Sequence, residues 1–512
     1  MSDMTPSAGL SPAPILLRSS TPAATFHSLV WTRVFNARQD HSILPFAYSQ
    51  PLTVSDIIAA VKLAKSNARR ISIRSGGHSW AAWSVRHDAV LIDLVELDRS
   101  LPGGRIQYDE TTQVVSCPPS ITGEELNDFL AGKGRMFPGG HCPDVGLGGF
   151  LLQGGMGWNC KSWGWACEYL VSLDVVTASG EYLQHVSATF HRDLFWAARG
   201  AGPGFPAIVT RFHLKTVPLP EMYQSLYFFP ITDFKEVLEW LIDISPTIPS
   251  TEIVLVSSYF PSSPSNPSLS NQILANFLTF APTKESQSIL LSKVHSSLPP
   301  AVSPLPSSRI CFPTSLAEQY SAQRLANPLA HRYRSDNIYV PDAAAHPSSI
   351  SKLLEPVFTS LPTAKSSALW FSMSPGGGTG QPRRGSDDGV LGDHHHHHDG
   401  MALSMQTDHY VAVYAVWDDN GDDDNGDDDN DDDDNDDDGE KDDEKCDEWV
   451  RKLGELESEG SYLGDADFRF REAGWKFWGD EQRETLWEVR KKWDEQGRIC
   501  GFLDNTEPTN SS

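Results

Sequence analysis

Two glycine-dense turns carry the residues best suited to chemistry. Ile73-Arg74-Ser75-Gly76-Gly77-His78-Ser79 holds a histidine, and Gly140-His141-Cys142-Pro143-Asp144-Val145-Gly146-Leu147-Gly148-Gly149, further along, holds a cysteine. Glycines let backbone amides approach a ligand that a Cβ would hold off, and successive N–H groups in such turns make a concavity suited to phosphate. Two loops closing on one molecule point to a nucleotide cofactor. The backbone of Arg74, Ser75, Gly76, Gly77, His78 and Ser79, with that of Gly146, Gly148 and Gly149, is expected to cradle its pyrophosphate. A lone turn of this kind is equally compatible with a tight structural bend, and a lone cysteine with a small buried thiol. Gln153-Gly154-Gly155-Met156-Gly157, which follows directly, is expected to permit close chain packing.

The elements that must position these loops are short. Residues 55–64 predict a helix capped by Ser55, with Ile57, Ile58, Val61 and Ala64 on one face. Residues 70–74 alternate as a strand into the first turn, and residues 89–94 predict another. Thr122-Gly123-Glu124-Glu125 is a capping box opening a helix that stops at Gly132 or Gly134. Residues 208–217 alternate again, with Ile208, Phe212 and Leu214 on one face. Beyond residue 217 the pattern predicts helices over 234–244 and 286–298 and strands over 253–259, 273–280, 368–373 and 409–417. The fold class expected is α+β, with a two-lobed first domain and an α+β second domain. The organisation expected is an extension (1–40), a first domain (41–217), a second with an antiparallel sheet and flanking helices (218–417), a disordered acidic insertion (418–445) and a C-terminal segment (446–512).

The chain has 512 residues, 39% of them apolar, and a formal charge of −27. Residues 418–445 hold 17 Asp and 2 Glu against 2 Lys, a net of −17, which leaves −10 for the remainder. Without a basic cluster, nucleic acid is not expected as a partner. No apolar run approaches the roughly 20 residues that span a bilayer, so no membrane partner is expected. Seven cysteines without C-x-x-C spacing suggest neither a disulfide framework nor a metal site. The run His394–His398 in the loop 375–400 can bind a divalent metal opportunistically but holds no fixed geometry for a dedicated site, and the acidic tract, whose EF-hand-like fragments lack flanking helices and a terminal Glu, is read as a solvated spacer. The N-terminus lacks a basic region and a sustained apolar run, so an intracellular location is expected, or secretion if the N-terminus is incomplete.

Taken with Trp163-Gly164, Asp193-Leu194-Phe195-Trp196-Ala197-Ala198-Arg199-Gly200, Ile208-Val209-Thr210 and Tyr462-Leu463-Gly464-Asp465-Ala466-Asp467, the glycine loops resemble the FAD-linked oxidases with a vanillyl-alcohol-oxidase-type (PCMH-type) flavin domain, in their berberine bridge enzyme-like branch. The resemblance covers about residues 45–217 and 460–504. It implies FAD bonded through His78 to the 8α-methyl and through Cys142 to C6, with Ile208 on a strand finishing the flavin domain. His141 departs from the commoner small residue. The resemblance also implies a catalytic tyrosine, here Tyr462, although the asparagine usual two residues later is Gly464. Tyr462 would need its pKa lowered by a positive neighbour.

The strand 409–417 resembles the one lying over the flavin. It puts His409, Val411, Val413, Ala415 and Trp417 on one face and Tyr410, Ala412, Tyr414 and Val416 on the other. Tyr410 and Tyr414 are therefore the substrate-facing candidates, where many relatives carry Glu, Gln or Lys. The expected activity is hydride removal from an organic donor (an alcohol, an amine or an activated C–H, in a secondary metabolite) with dioxygen reduced to hydrogen peroxide. A carbohydrate oxidase, a dehydrogenase using another acceptor, and a non-catalytic acidic scaffold are the alternatives.

Overall fold

The computed structural model describes residues 12–38, 40–263, 266–341, 346–373, 400–418, 437–467 and 477–502. The loop 375–400, save Gly400, and the acidic residues 419–436 lie outside the described residues.

Short strands near the N-terminus, β1 (Ile15–Leu17), β2 (Ala47–Ser49), β3 (Ile71–Arg74) and β4 (Val90–Asp93), form a sheet in the order β1-β2-β4-β3. β2, β4 and β3 are parallel, which demands cover on both faces. The helix Val54–Ser66 covers one face, packing Ile57, Ala60, Val61 and Ala64 against Ile71, Val90 and Ile92. Its N-cap is Thr53 and not Ser55. Thr53 Oγ1 accepts from the Asp56 amide (3.3 Å) while Asp56 Oδ2 accepts from the Thr53 amide (3.0 Å), a reciprocal box that fixes the start. Residues expected as an extension are part of this lobe: β1 pairs with β2, and Phe26, Val30 and Trp31 of the helix Ala23–Trp31 pack on Tyr48 and Leu91.

A second sheet joins β5 (Gln107–Asp109), β6 (Val114–Cys117), β8 (Leu170–Thr177), β9 (Tyr182–Val186) and β10 (Ala207–Lys215), in the order β5-β6-β10-β8-β9. β7 (Arg135–Met136) pairs separately with β11 (Val217–Pro218). The helix Gly123–Ala131 has the expected box, Thr122 with Glu125, and ends at Gly132. β10 departs from the expected alternation. Its register against β8 shifts between Val209 and Arg211, and one extra residue reverses every side chain beyond it. Phe212 and Leu214 consequently share a core with Ala207 and Val209, while Ile208 faces the other way onto Ile57, Val61 and Val176.

The second lobe is a seven-stranded antiparallel sheet. It is built from β12 (Met222–Pro230), β13 (Thr251–Ser263), β14 (Asn266–Thr279), β15 (Arg309–Thr314), β16 (His331–Val340), β17 (Ser367–Ser372) and β18 (His409–Asp418), in the order β15-β12-β14-β13-β17-β18-β16. The helix Phe234–Ile244 spans the expected residues, and Lys284–Ser296 begins two residues early because Thr283 caps it. β12, β15, β16 and the helix Pro347–Phe358 are elements the sequence pattern did not predict. β18 alternates as expected: Val411, Val413, Ala415 and Trp417 pack on the helices, and Tyr410 and Ala412 face the first lobe.

The expectation of disorder over 418–445 is corrected at its end, where Asp437–Gly454 is a helix. Cys446, Trp449, Val450 and Leu453 fall on one face at helical spacing and are buried against the sheet. The flanking acids are partnered: Asp443 accepts from Trp417 Nε1 (2.6 Å) and pairs with Arg332 (3.3 Å), and Asp447 pairs with Arg334 (2.6 Å). This helix belongs to the second lobe, so the return of the chain starts after it. Gly460 bridges Tyr339, the helix Asp480–Trp493 packs Leu486 and Val489 into the core of the first lobes, and Ile499 bridges Ile71.

Candidate active site

A cavity of about 1230 Å³ lies between the first lobes and the seven-stranded sheet, and both glycine loops open into it. The first loop is anchored at its base. The Arg74 guanidinium is buried on Asp93 (2.8 Å) and Leu29 O (2.8 Å), and Arg33 Nη2 donates to Ser75 O (3.0 Å). Gly77 has φ +81°, and a Cβ there would stand 1.8 Å from Arg33 O. Gly76 and Gly146 touch backbone to backbone, where a Cβ on either would meet the other's amide nitrogen within 2.7 Å.

Among the described residues, the amides of Gly76, Gly77, His78 and Ser79 donate to no protein acceptor, as a phosphate cradle requires. Gly148 is a correction. Its amide is spent on Pro119 O (2.8 Å), and the missing side chain instead admits Ser75, whose Oγ would lie 2.7 Å from a Cβ. Ile208 is another: Ala207 and Val209 line the cavity, and Ile208 does not. The loops, cavity and free amides fit a flavin dinucleotide, held by the backbone of residues 76–79 with Gly149 open beside it.

His78 and Cys142 both line the cavity. The His78 ring stacks on Phe35 (3.9 Å between centroids, 23°) and its Nε2 lies 3.1 Å from Asp144 Oδ1. Burial pushes the Cys142 thiol up to about 12, reinforced by Asp144 and Asp465, so it keeps its proton at neutral pH. His141 turns onto Glu252 (3.0 Å), whose Oε2 also accepts from the Asn159 amide (3.0 Å).

Tyr462 lines the cavity as expected, but the surroundings expected to lower its pKa are not what the described residues supply. Its hydroxyl accepts from the amides of Gly155 and Met156 (both 3.2 Å), and its pKa is raised, by burial first and by Asp465 next. Among the described residues, no positive group is a leading cause that offsets these. The departure at Gly464 has a steric cause: a Cβ there would lie 2.3 Å from the Tyr462 ring. Tyr410 is also repositioned, since it is buried behind the cavity wall and donates to Asp465 Oδ2 (2.5 Å). Tyr414 does line the cavity.

Asp465, at the end of the short 3₁₀ turn Leu463–Asp465, is the group sequence reasoning passed over. Its carboxyl lines the cavity, and burial raises its pKa despite hydrogen bonds from Tyr410, Tyr414 and Trp80. The signal was present as one acid in the Tyr462–Asp467 motif, but nothing in the chain order puts it beside Trp80 and Tyr410. A raised carboxyl among oriented hydroxyls facing a cofactor-sized cavity is an arrangement for proton transfer.

This fold and site define a flavin-linked oxidoreductase. Residues 45–185 match the family described as FAD binding domain. The FAD-linked oxidoreductase janO of Penicillium janthinellum is 35% identical over 96% of this chain and 98% of its own length. The xylooligosaccharide oxidase of Thermothelomyces thermophilus is 35% identical over 45% of this chain and 46% of its own length. Berberine bridge enzyme from Eschscholzia californica shares the fold, with a TM-score of 0.71 over 95% of both chains at 16% identity. The chain belongs to the FAD-linked oxidoreductases. It is an enzyme, and the scaffold alternative falls away.

Proposed function

We propose that the chain is an oxidase with FAD attached through both His78 and Cys142, acting on a small, largely apolar organic donor such as a secondary metabolite. Bound FAD would take a hydride from the donor carbon and pass the electrons to dioxygen as hydrogen peroxide. The residues of this chain bind and move protons. The amides of residues 76–79 hold the pyrophosphate, and Asp465 takes the proton that leaves the donor's O–H or N–H. Tyr410 orients the Asp465 carboxyl from behind, and Tyr414 presents a hydroxyl to the donor. The observation that carries this reading is the Tyr410–Asp465 hydrogen bond at the cavity wall beside Trp80 and Cys142.

The wall facing the loops supports an apolar donor: Leu226, Val254, Val256, Leu274, Leu369 and Phe371 project from alternate positions of the sheet. Gln224 and Asn276 add polar contacts at one end. A carbohydrate donor is the second reading, favoured by the likeness to xylooligosaccharide oxidase.

The test is an absorbance spectrum before and after acid precipitation, the masses of the peptides holding His78 and Cys142, and peroxide release across apolar alcohols, amines and oligosaccharides. A yellow pellet with both peptides heavier by FAD-derived mass supports the bicovalent reading. Yellow supernatant over a colourless pellet refutes both linkages, and peroxide from sugars alone replaces the apolar donor with a carbohydrate.

A further inference from the structure

We propose a divalent-cation site, suited to Zn²⁺, formed by Asp174, His185 and His213 on the face of the second sheet turned away from the flavin cavity. The three residues come from adjacent strands β8, β9 and β10, and none lines the cavity. One ligand atom from each lies within 4.8 Å of the others. Asp174 Oδ1 and His213 Nε2 are 3.4 Å apart. With metal–ligand lengths near 2.0–2.1 Å, a tetrahedral site needs ligand atoms about 3.3 Å from one another. That pair is already at this spacing, and a rotation of the exposed His185 ring, whose centroid is 5.0 Å from that of His213, completes it.

The backbone is shaped to bring these side chains together. Register shifts fall between Val209 and Arg211 and between His213 and Leu214 on β10, and between Leu173 and Val175 on the β8–β9 pair, so two bulged pairings meet at Asp174. Bulges re-aim side chains that a regular ladder would separate. His185 sits in the left-handed region (φ +55°), and its amide donates to Asp174 Oδ1 (2.8 Å). For a non-glycine residue this conformation is uncommon.

The chemistry of the donors agrees. His213 Nε2 is buried and has no hydrogen bond of acceptable geometry among the described residues. A buried polar atom left so is costly, and a cation would satisfy it. The neighbouring Arg211 is turned away onto Asp98 (2.5 Å), and the Tyr182 hydroxyl lies 3.5 Å from Asp174 Oδ2. Two imidazoles and one carboxylate suit Zn²⁺ with water in a fourth position, whereas Ca²⁺ and Mg²⁺ favour all-oxygen sites. A bound ion would clip the edge strand β9 to β10 through β8.

The run His394–His398 would bind Zn²⁺ by itself, so the test uses the full-length chain with those five histidines changed to serine. Equilibrium dialysis against Zn²⁺, and the visible spectrum after Co²⁺ addition, are compared with the same chain carrying His185→Asn or His213→Gln. Asparagine tolerates the left-handed conformation, and equal flavin content and equal metal-free thermal midpoints report an intact fold. The expected result is one Zn²⁺ per chain and a four-coordinate Co²⁺ spectrum, with affinity weakened by about tenfold or more in either variant. Absence of binding in the serine background, or binding that neither substitution weakens, overturns the proposal.

Discussion

The Tyr410 hydroxyl donates to Asp465 Oδ2 at 2.5 Å, tying the start of β18 to the chain that returns after the Asp437–Gly454 helix. The residues are 55 apart in sequence and belong to different layers. Their contact positions the carboxyl and partly offsets the burial that raises its pKa.

Replacement of Asp465 by asparagine is expected to slow anaerobic flavin reduction by about 100-fold or more, the usual loss of a general base, while flavin content is kept. Stopped-flow absorbance measures it. The same substitution alters the pH dependence of stability. Because the folded pKa of Asp465 is raised above the ordinary 3.8, the folded state holds a proton that the unfolded state releases. Stability is lost as pH rises from that ordinary value through the raised one. The Asp465→Asn substitution removes this loss, so thermal midpoints of the variant should fall less across that window than those of the parent.

Tyr462→Phe acts on stability more than on rate. It strips the acceptor from the buried amides of Gly155 and Met156, which costs about 2 kcal/mol or more. Urea unfolding should show this, while flavin reduction slows by far less than in the Asp465 variant. A rate loss equal to that of Asp465→Asn would restore Tyr462 as the base.

His78→Ala and Cys142→Ala should each leave flavin attached through the remaining residue, and the double variant should release all of it on acid precipitation. Colour in pellet and supernatant, with peptide masses, reads the outcome. Flavin retained in the double variant's pellet would place the linkage elsewhere.

Gly77→Ala should abolish flavin incorporation. The added Cβ is driven into Arg33 O at a backbone conformation, φ +81°, that alanine rarely adopts. The ratio of flavin to protein absorbance decides this, with normal incorporation as the contrary result.

Trp449→Ala is expected to destabilise the second lobe by about 3–5 kcal/mol, the range for deleting a large buried aromatic. Trp449 is nearly fully buried and its Nε1 donates to Val357 O (3.0 Å). An unchanged unfolding midpoint would mean that the helix is not docked there.

Local chemistry made a good part of this protein legible from its sequence. The Thr122–Glu125 box, the Phe234–Ile244 helix and the two faces of β18 are set by spacing over a few residues, and the glycine loops by the bareness of their backbone. What failed depended on partners far along the chain. A single bulge in β10 turned Ile208 away from the cavity, which no alternation pattern can foresee. The end of the acidic tract folded because Cys446, Trp449, Val450 and Leu453 found a sheet to cover and arginines to meet the acids. Asp465 and Tyr462 gained their buried surroundings only from the tertiary packing of the returning chain. Burial and hydrogen-bond partners set a pKa, and those are decided by tertiary structure.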